Sequence, residues 1–515
     1  MASSSWRWPN ESAPKRAPIR ARPFAVAGVA HRDYNGRQMS RMRAIPLVLL
    51  IWAAIYLPRL GSLELKSEEG RRVLPAVTML ETGNAAHGAR EFFRSYLVPQ
   101  VGSEPYLRKP PLVNWLVAGS FKLFGVQNEW AARLPSALCV LAVALAFVAI
   151  ARRSLGPNGS GVAGLMWLTN FGLLEKGRMI EIEALYVSLT ALAFIFWLSW
   201  WNQPRFRWAT WTVPCILLGL GLLAKGPLNL VFFYAVIIAV LAQAGELRRL
   251  WSLPHLVGVL CMLAIFAAWA VPCLVVMQEA HVAGIWVRQF SGRVSGENFH
   301  FFDWLLNIPR GIAYLLPWAV LLPFARFAEV TPEEDRKLSR ALAWGVALPF
   351  VVVSLLPGAL PRYNMPLLAP AIWLLAILIR EHALRWPVQL RRAITWTTAA
   401  VTAAMLLYSL AIIPRLQARA KVRPIGREIT AAIPPNETLY AIDPDYQPFL
   451  FYVRRPIVYL DHVHELPAAA RFILVQPEKA AAVENSPRWA PQRARPVLKK
   501  KDYRGHHIIL LKVGA

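Results

Sequence analysis

Apolar and polar positions fall along this chain in long blocks rather than short alternations. Nine apolar runs, at 44–58, 131–151, 183–201, 209–224, 226–244, 254–277, 340–357, 364–380 and 394–413, are separated by polar joints. A membrane-spanning helix needs about 17–25 mostly apolar residues, and most of these runs reach or nearly reach that length. The pattern predicts an α-helical polytopic membrane protein. With 161–175 and 311–325 counted as crossings and 112–124 as a helix along the surface, it has about 11–13 transmembrane helices.

Beyond 413 the pattern changes. "ETLYAID", "FLFYVRRPIVYL", "RFILVQ" and "HHIILLKV" are short, β-branched and aromatic, with polar or Ala-rich stretches between them. They predict strands alternating with short helices, a small soluble α/β domain over 414–515. The first 43 residues are different again: nine Lys/Arg against Glu11 and Asp33, rich in Pro and Ser. Such a composition predicts a disordered basic tail. The apolar run that follows lacks a small-residue cleavage site and reads as an uncleaved anchor. Met39 and Met42 stand just before it, so the natural start is open among Met1, Met39 and Met42.

The chain is 56% hydrophobic, holds 21 Trp and carries a formal charge of +27. Zinc-finger spacing, RNA-binding signatures and a basic helix with base-reading residues are all missing from the sequence, so the charge is not assigned to nucleic acid. It is assigned to topology and anionic lipid. Cys139, Cys215, Cys261 and Cys273 lie in apolar runs without a CxxC pair and read as small core residues. Basic joints stay in the cytoplasm. Placing the N-terminus, Arg152/Arg153, Arg205/Arg207, Arg248/Arg249, Arg336/Lys337 and Arg385/Arg391/Arg392 inside puts 61–130, 175–182, the turn at 225, 278–310, 358–363 and the C-terminal domain outside.

Those outer joints hold charges that orientation does not need, and such charges are functional candidates. "KSEEGRRVLPAVTMLETGN", 66–84, puts Glu68 and Glu69 just past the first run, with Arg71 one helical turn after Glu68. Its apolar spacing predicts an amphipathic surface helix; the competing reading is a solvated acidic loop. In "EKGRMIEIEAL", 175–185, Glu183 opens a long apolar run, where a carboxylate is costly unless paired or used. A helix-start acid favoured by the macrodipole is the alternative, and it suits Glu181 better. "LLAKGPLNL" isolates Lys225 before a Gly-Pro turn, as a ligand or as a snorkelling lysine. "YLRKPPLVNW" places Arg108 and Lys109 before two prolines suited to a helix start. "VRQFSGRVSGE" offers Arg288 and Arg293, and "LPRYNMPLLAP" offers Tyr363. Cations and carboxylates gathered at one membrane face suit a lipid-linked phosphate, with a carboxylate as general base on an acceptor hydroxyl.

The order of these motifs, acidic pair with Arg, "KPPL..W", "RLPSAL", an acid opening a helix, "KGP", then "Y..P..AP", resembles the membrane glycosyltransferases of the GT-C fold. The resemblance spans roughly 44–380 and is nearest to the bacterial aminoarabinose lipid A transferases and the protein O-mannosyltransferases. It implies inverting transfer of one sugar from a polyprenyl-phosphate donor to a lipid, glycan or protein acceptor, outside the cytoplasm, in a bacterial inner membrane. It places catalytic carboxylates at Glu68 and Glu183. Donor phosphate contacts fall on Arg71, Lys109, Lys225, Arg293 and Tyr363, with Glu69, Arg108, Arg288 and Glu181 as secondary candidates. Two departures stand out. The first acid is Glu where kin usually show Asp. The residue before the KPP lysine, an acid that helps hold zinc in the aminoarabinose enzymes, is Arg108 here, which puts a metal at that position in doubt. No cofactor is called for with certainty, and a divalent metal stays open.

Two other readings compete. A secondary transporter would show repeated halves and broken midplane helices, and the sequence shows neither. A catalytically inactive scaffold of a cell-envelope pathway would not need Glu68 and Glu183. His462 and His464, two apart at a strand end, share a face but lack a full metal-ligand set.

Overall fold

Where water is scarce a backbone must satisfy its own polar groups, and a helix does so within one segment. The apolar runs fold accordingly. The structure is a computed structural model that describes residues 41–101, 104–106, 109–277, 299–384, 387–444, 447–484, 494–501 and 507–514, together with Gly284 and Gly505. The basic tail to residue 40, Arg108, Arg288 and Arg293 lie outside the described residues.

The first part of the chain forms α1 (Arg41–Tyr56), α2 (Gly70–Asn84), α3 (Ala89–Leu97), α4 (Leu112–Phe124), α5 (Glu129–Ala149) and α6 (Arg152–Leu168). Then come α7 (Phe171–Lys176), α8 (Ile182–Trp200), α9 (Ala209–Ala224), α10 (Leu228–Ala244) and α11 (Leu253–Met277). A two-stranded ribbon, β1 (Gln100–Val101) and β2 (Glu104–Pro105), links α3 to α4. The bundle continues with α12 (Phe301–Leu305), α13 (Asn307–Ala313), α14 (Glu333–Ser354), α15 (Leu368–Arg380), α16 (Pro387–Leu407) and α17 (Ile413–Gln417).

Among the described residues six helices are long and apolar enough to cross a membrane: Glu129–Ala149, Ile182–Trp200, Leu253–Met277, Glu333–Ser354, Pro361–Arg380 and Gln389–Gln417. α4, α9, α10 and the apolar part of α1 are shorter. Two of the crossings read from sequence take another form. The stretch 161–175 divides between α6 and α7. Asn170 makes the break: its side chain accepts from Leu173 N–H at 3.3 Å and donates to the Leu316 carbonyl at 3.1 Å. The stretch 311–325 ends α13 and then winds as a 3-10 segment, Trp318–Phe324. Pro317 and Pro323 lack the N–H groups a regular helix needs there.

α8 is a central helix of the bundle, as buried as the Pro361–Arg380 stretch. Its apolar stretch is 89% buried against 22% for α11, whose outer face carries exposed Leu256, Leu260 and Leu263. Helices without a hydrophobic difference between neighbour and lipid rely on close contact and on satisfied polar groups. Both are present. A Cβ on Gly258 of α11 would lie 2.8 Å from the Trp211 carbonyl oxygen of α9. Trp52 and Trp167 donate their indole N–H to the Ala137 and Val140 carbonyls of α5, at 2.8 and 3.0 Å. One end of the bundle is basic. There Arg380 donates to the Ser154 carbonyl at 2.6 Å and pairs with Asp335, and Arg249 donates to the Trp201 carbonyl. The opposite end collects the start of α8, the end of α9 and the start of α15.

The C-terminal region joins α18 (Val422–Ala432) and α19 (Pro477–Glu484) to a five-stranded sheet. Its strands are β3 (Leu439–Ile442), β4 (Ile457–Leu460), β5 (Phe472–Val475), β6 (Arg495–Lys501) and β7 (His507–Lys512), in the order β4-β3-β5-β7-β6. β3, β4 and β5 are parallel and β7 runs against β5. β5 is buried throughout, as a central strand covered on both faces should be. "FLFY", read as strand, is instead a 3-10 turn, Pro448–Tyr452, since Pro448 starts a turn and cannot donate to a ladder. β6 was not legible: Lys499, Lys500 and Lys501 mark a protected edge rather than a buried strand.

Candidate functional site

The two neighbouring acids past α1 have opposite environments. A 3-10 turn, Ser67–Glu69, leads into α2. Glu69 points inward and is 1% exposed. Its carboxylate accepts Arg133 Nε and Nη2, both at 2.9 Å, and the N–H groups of Ile180 and Lys66, both at 3.1 Å. Arg133 spends its remaining donors on the carbonyls of Leu60, Leu63 and Glu64, at 3.0, 2.8 and 3.2 Å. A buried ion pair with every donor used is a structural staple. Glu68 points outward with 41% of its side chain exposed, 2.8 Å from Arg71 Nη1 and 3.8 Å from Arg72 Nη2. Arg72 is buried, donates to Tyr106 Oη at 3.1 Å, and its Nε has no partner among the described residues.

The KPP motif lies next to this pair. Asn114, in the first turn of α4, donates to the Arg72 carbonyl at 2.9 Å and to the Arg71 carbonyl at 3.4 Å. That bond holds the start of α4, three residues after Lys109, beside α2.

The second half of the site forms where α8, α9 and α15 begin or end. Gly226 adopts φ +117°, which a side chain resists. The resulting turn between α9 and α10 aims Lys225 at the mouth of α8. Its Nζ donates to Glu183 Oε1 at 3.1 Å and lies 4.7 Å from the Tyr363 ring centroid and 5.3 Å from that of Tyr186. Arg362 Nε sits 3.0 Å from the same carboxylate oxygen, off the hydrogen-bond direction. Glu183, Lys225 and Tyr363 are therefore brought together as a unit with Arg362, which lies in the outer joint 358–363. Its only sequence signal was its place beside Tyr363.

Glu181 takes a different partner. It pairs with Lys176 at 3.0 Å, and Lys176 also binds Glu175 at 2.8 Å. Burial raises the Glu181 carboxyl above the usual range, against the opposing pull of Lys176, with Glu183 adding to the rise. A raised carboxyl favours the protonated form in the folded state, so stability falls as pH rises from the ordinary Glu value through the raised one. Thermal unfolding of the purified protein, followed as pH rises from the ordinary Glu range, is expected to show that loss. Glu181→Gln is expected to flatten it; an unchanged slope in the variant would assign it elsewhere.

Glu69 joins the halves, since the Ile180 N–H it accepts lies three residues before Glu183. A cavity of about 410 Å³ is walled by Phe93, Tyr96, Trp115, Leu223, Ile265 and Trp269. Trp115 and Trp269 donate to the Tyr96 and Leu97 carbonyls at 2.7 and 2.8 Å. Their polar atoms are thereby satisfied and the wall they present is apolar. Leu223 is two residues from Lys225. Among the described residues no three of His, Cys, Asp and Glu converge as a metal site.

Comparison with known proteins bears on this arrangement. Residues 108–271 match the family described as dolichyl-phosphate-mannose-protein mannosyltransferase. The undecaprenyl phosphate-alpha-4-amino-4-deoxy-L-arabinose arabinosyl transferase 2 of Pseudomonas fluorescens is 29% identical over 357 residues, 66% of this chain and 57% of that protein. The corresponding transferase of Pseudomonas savastanoi is 26% identical, over 67% of this chain and 62% of its own length. The crystal structure of ArnT from Cupriavidus metallidurans bound to undecaprenyl phosphate superposes with a TM-score of 0.66 at 18% identity, covering 91% of this chain and 97% of that one. The fold is GT-C. In this GT-C bundle the KPP motif opens α4, the KGP motif turns α9 into α10, and the late tyrosine motif opens the helix that ends at Arg380.

Proposed function

We propose that this chain is an inverting glycosyltransferase that moves a single sugar from a polyprenyl-phosphate donor to a lipid, glycan or protein acceptor, on the extracytoplasmic face of a bacterial inner membrane. The observation that carries the reading is the sharing of Glu183 Oε1 by Lys225 and Arg362 at the mouth of the central helix, linked through Glu69 to the exposed Glu68. The gathering of basic joints at the other end supports the outward-facing site. The undecaprenyl phosphate named for the relatives, and bound in the ArnT structure, supports the donor class.

In this reading the acceptor hydroxyl loses its proton to Glu68 as its oxygen attacks the anomeric carbon from the face opposite the phosphate. The C–O bond to phosphate breaks and its electron pair stays on the phosphate oxygen. Lys109, Lys225 and Arg362 neutralise the charge that grows there, and Arg71 and Arg293 complete the cationic set. Glu183, already engaged by two cations, orients them rather than taking a proton. Tyr363 and Tyr186 flank the Lys225 ammonium with their rings. The aromatic cavity has the size and apolarity to hold part of an isoprenoid chain.

The test is a transfer assay in membranes supplied with radiolabelled polyprenyl-phosphate sugars. Wild type is expected to pass label to lipid, glycan or protein. Lys109→Ala is expected to lower transfer by about 100-fold or more while the protein remains inserted. Normal turnover in Lys109→Ala overturns the phosphate assignment. No transfer by wild type from any donor returns the chain to the transporter or scaffold readings.

A further inference from the structure

The transfer chemistry above makes no use of Glu129, a carboxylate buried at the start of α5. Its Oε1 accepts Arg423 Nε at 2.9 Å, Arg423 Nη2 at 2.5 Å and Tyr452 Oη at 2.8 Å. Both donors come from the C-terminal region, about three hundred residues away in the chain. Tyr452 Oη also accepts the Leu65 N–H at 2.7 Å. One residue earlier, Glu64 receives the first turn of α18: Oε1 accepts Lys421 N–H at 2.9 Å, and Oε2 accepts Val422 and Arg423 N–H at 2.8 and 3.0 Å. A carboxylate on a helix N-terminus is held by its free N–H groups and its dipole together. Arg423 Nη2 reaches the Gly61 carbonyl at 3.3 Å, and Gln417, at the end of α17, donates to the Ser62 carbonyl at 2.8 Å.

The segment 60–69 is thus gripped from two sides. Gly61, Ser62, Glu64 and Leu65 bond to α17 and the C-terminal region. Leu60, Leu63, Glu64 and Glu69 bond to Arg133 on α5. Gly61 is pressed so close to α5 that a Cβ there would lie 2.7 Å from Trp130 Cβ. Of the carboxylates on this segment, Glu64 and Glu69 are buried and Glu68 is the one presented outward.

We propose that the C-terminal α/β region is a positioning element for Glu68. Arg423, Glu129, Tyr452 and Glu64 set the segment that delivers the carboxylate to the site. A misplacement of about 1 Å at a reacting group costs on the order of 10²-fold in rate, so a clamp of this kind acts on turnover before it acts on binding. The kinetic part rests on the transferase reading; the structural part does not.

Tyr452→Phe tests it, because it keeps the ring and removes only the hydroxyl that bridges Glu129 and Leu65. The expected result is a fall in kcat of about tenfold or more with donor KM within about twofold of wild type. Arg423→Ala is expected to behave alike, and Arg423→Lys, which keeps the cation, to recover part of the loss. A nitroxide attached at Lys66→Cys, with the parent protein as labelling control, is expected to become more mobile in the Tyr452→Phe background. Unchanged kcat with an unmoved nitroxide overturns the proposal. So does a rise in donor KM at constant kcat, which would make the region a donor-binding element. If wild type transfers nothing, the transferase reading falls and the nitroxide alone decides the clamp: mobility gained upholds it, mobility unchanged overturns it.

Discussion

Replacing Glu68 by Gln is expected to lower sugar transfer by about 10²–10⁴-fold, the usual loss when a general base is removed. Among Glu68, Glu69, Glu181 and Glu183 it is the one with substantial access: 41% of its side chain is exposed, against 1%, 14% and 9%. Glutamine keeps the size and still accepts from Arg71, so the variant isolates proton transfer from packing. Donor KM is expected to stay near the wild-type value, because the cations assigned to the phosphate are other residues, and a loss confined to kcat is the mark of an interaction made in the transition state. The measurement is the membrane transfer assay run at several donor concentrations. Turnover within a few-fold of wild type would remove Glu68 as base and shift that role to Glu183 or Glu181.

One residue along, the same substitution is expected to act on the fold. Glu69→Gln leaves Arg133 buried without its counter-charge and turns an amide N–H₂ toward donors. Breaking one partner of a buried pair costs about 3–5 kcal/mol. The expected result is a marked drop in the thermal midpoint of the purified protein and reduced accumulation in membranes. Arg133→Ala is expected to do likewise, and Glu68→Gln to leave the midpoint nearly unchanged, since exposed pairs contribute about 0–1 kcal/mol. A wild-type midpoint in Glu69→Gln would show that the staple is dispensable. Together the two variants separate chemistry from structure within a single dipeptide.

That separation marks where sequence reading ends. Both acids stand in the same motif, and nothing local distinguishes them. The helix turn that leads into α2 sends one side chain inward and the other outward, and only the packing of α5 supplies Arg133 to the inner one. The same holds for Glu181 and Glu183. They are two residues apart, and their partners, Lys176 for one and Lys225 with Arg362 for the other, come from different turns of the bundle. Arg362 is one outer charge among many in the sequence, and the 3-10 turn Pro361–Leu367 ahead of α15 is what places it against Glu183. The C-terminal strands show the same division. β5 was legible because its burial writes an apolar run. β6 was not, because an edge strand is specified by its neighbour's open hydrogen bonds while its own side chains face water.

By itself the sequence determined the class of protein, most of the apolar helices, and the KPP and KGP turns. Each is a local property: a run of apolar residues long enough to close its own hydrogen bonds in lipid, a proline at a helix start, a glycine at positive φ. The tertiary structure decided which acid is accessible, which cations share a carboxylate, and that the C-terminal region grips the segment bearing Glu68. These depend on contacts between residues tens to hundreds of positions apart, whose distances are set by how the helices pack.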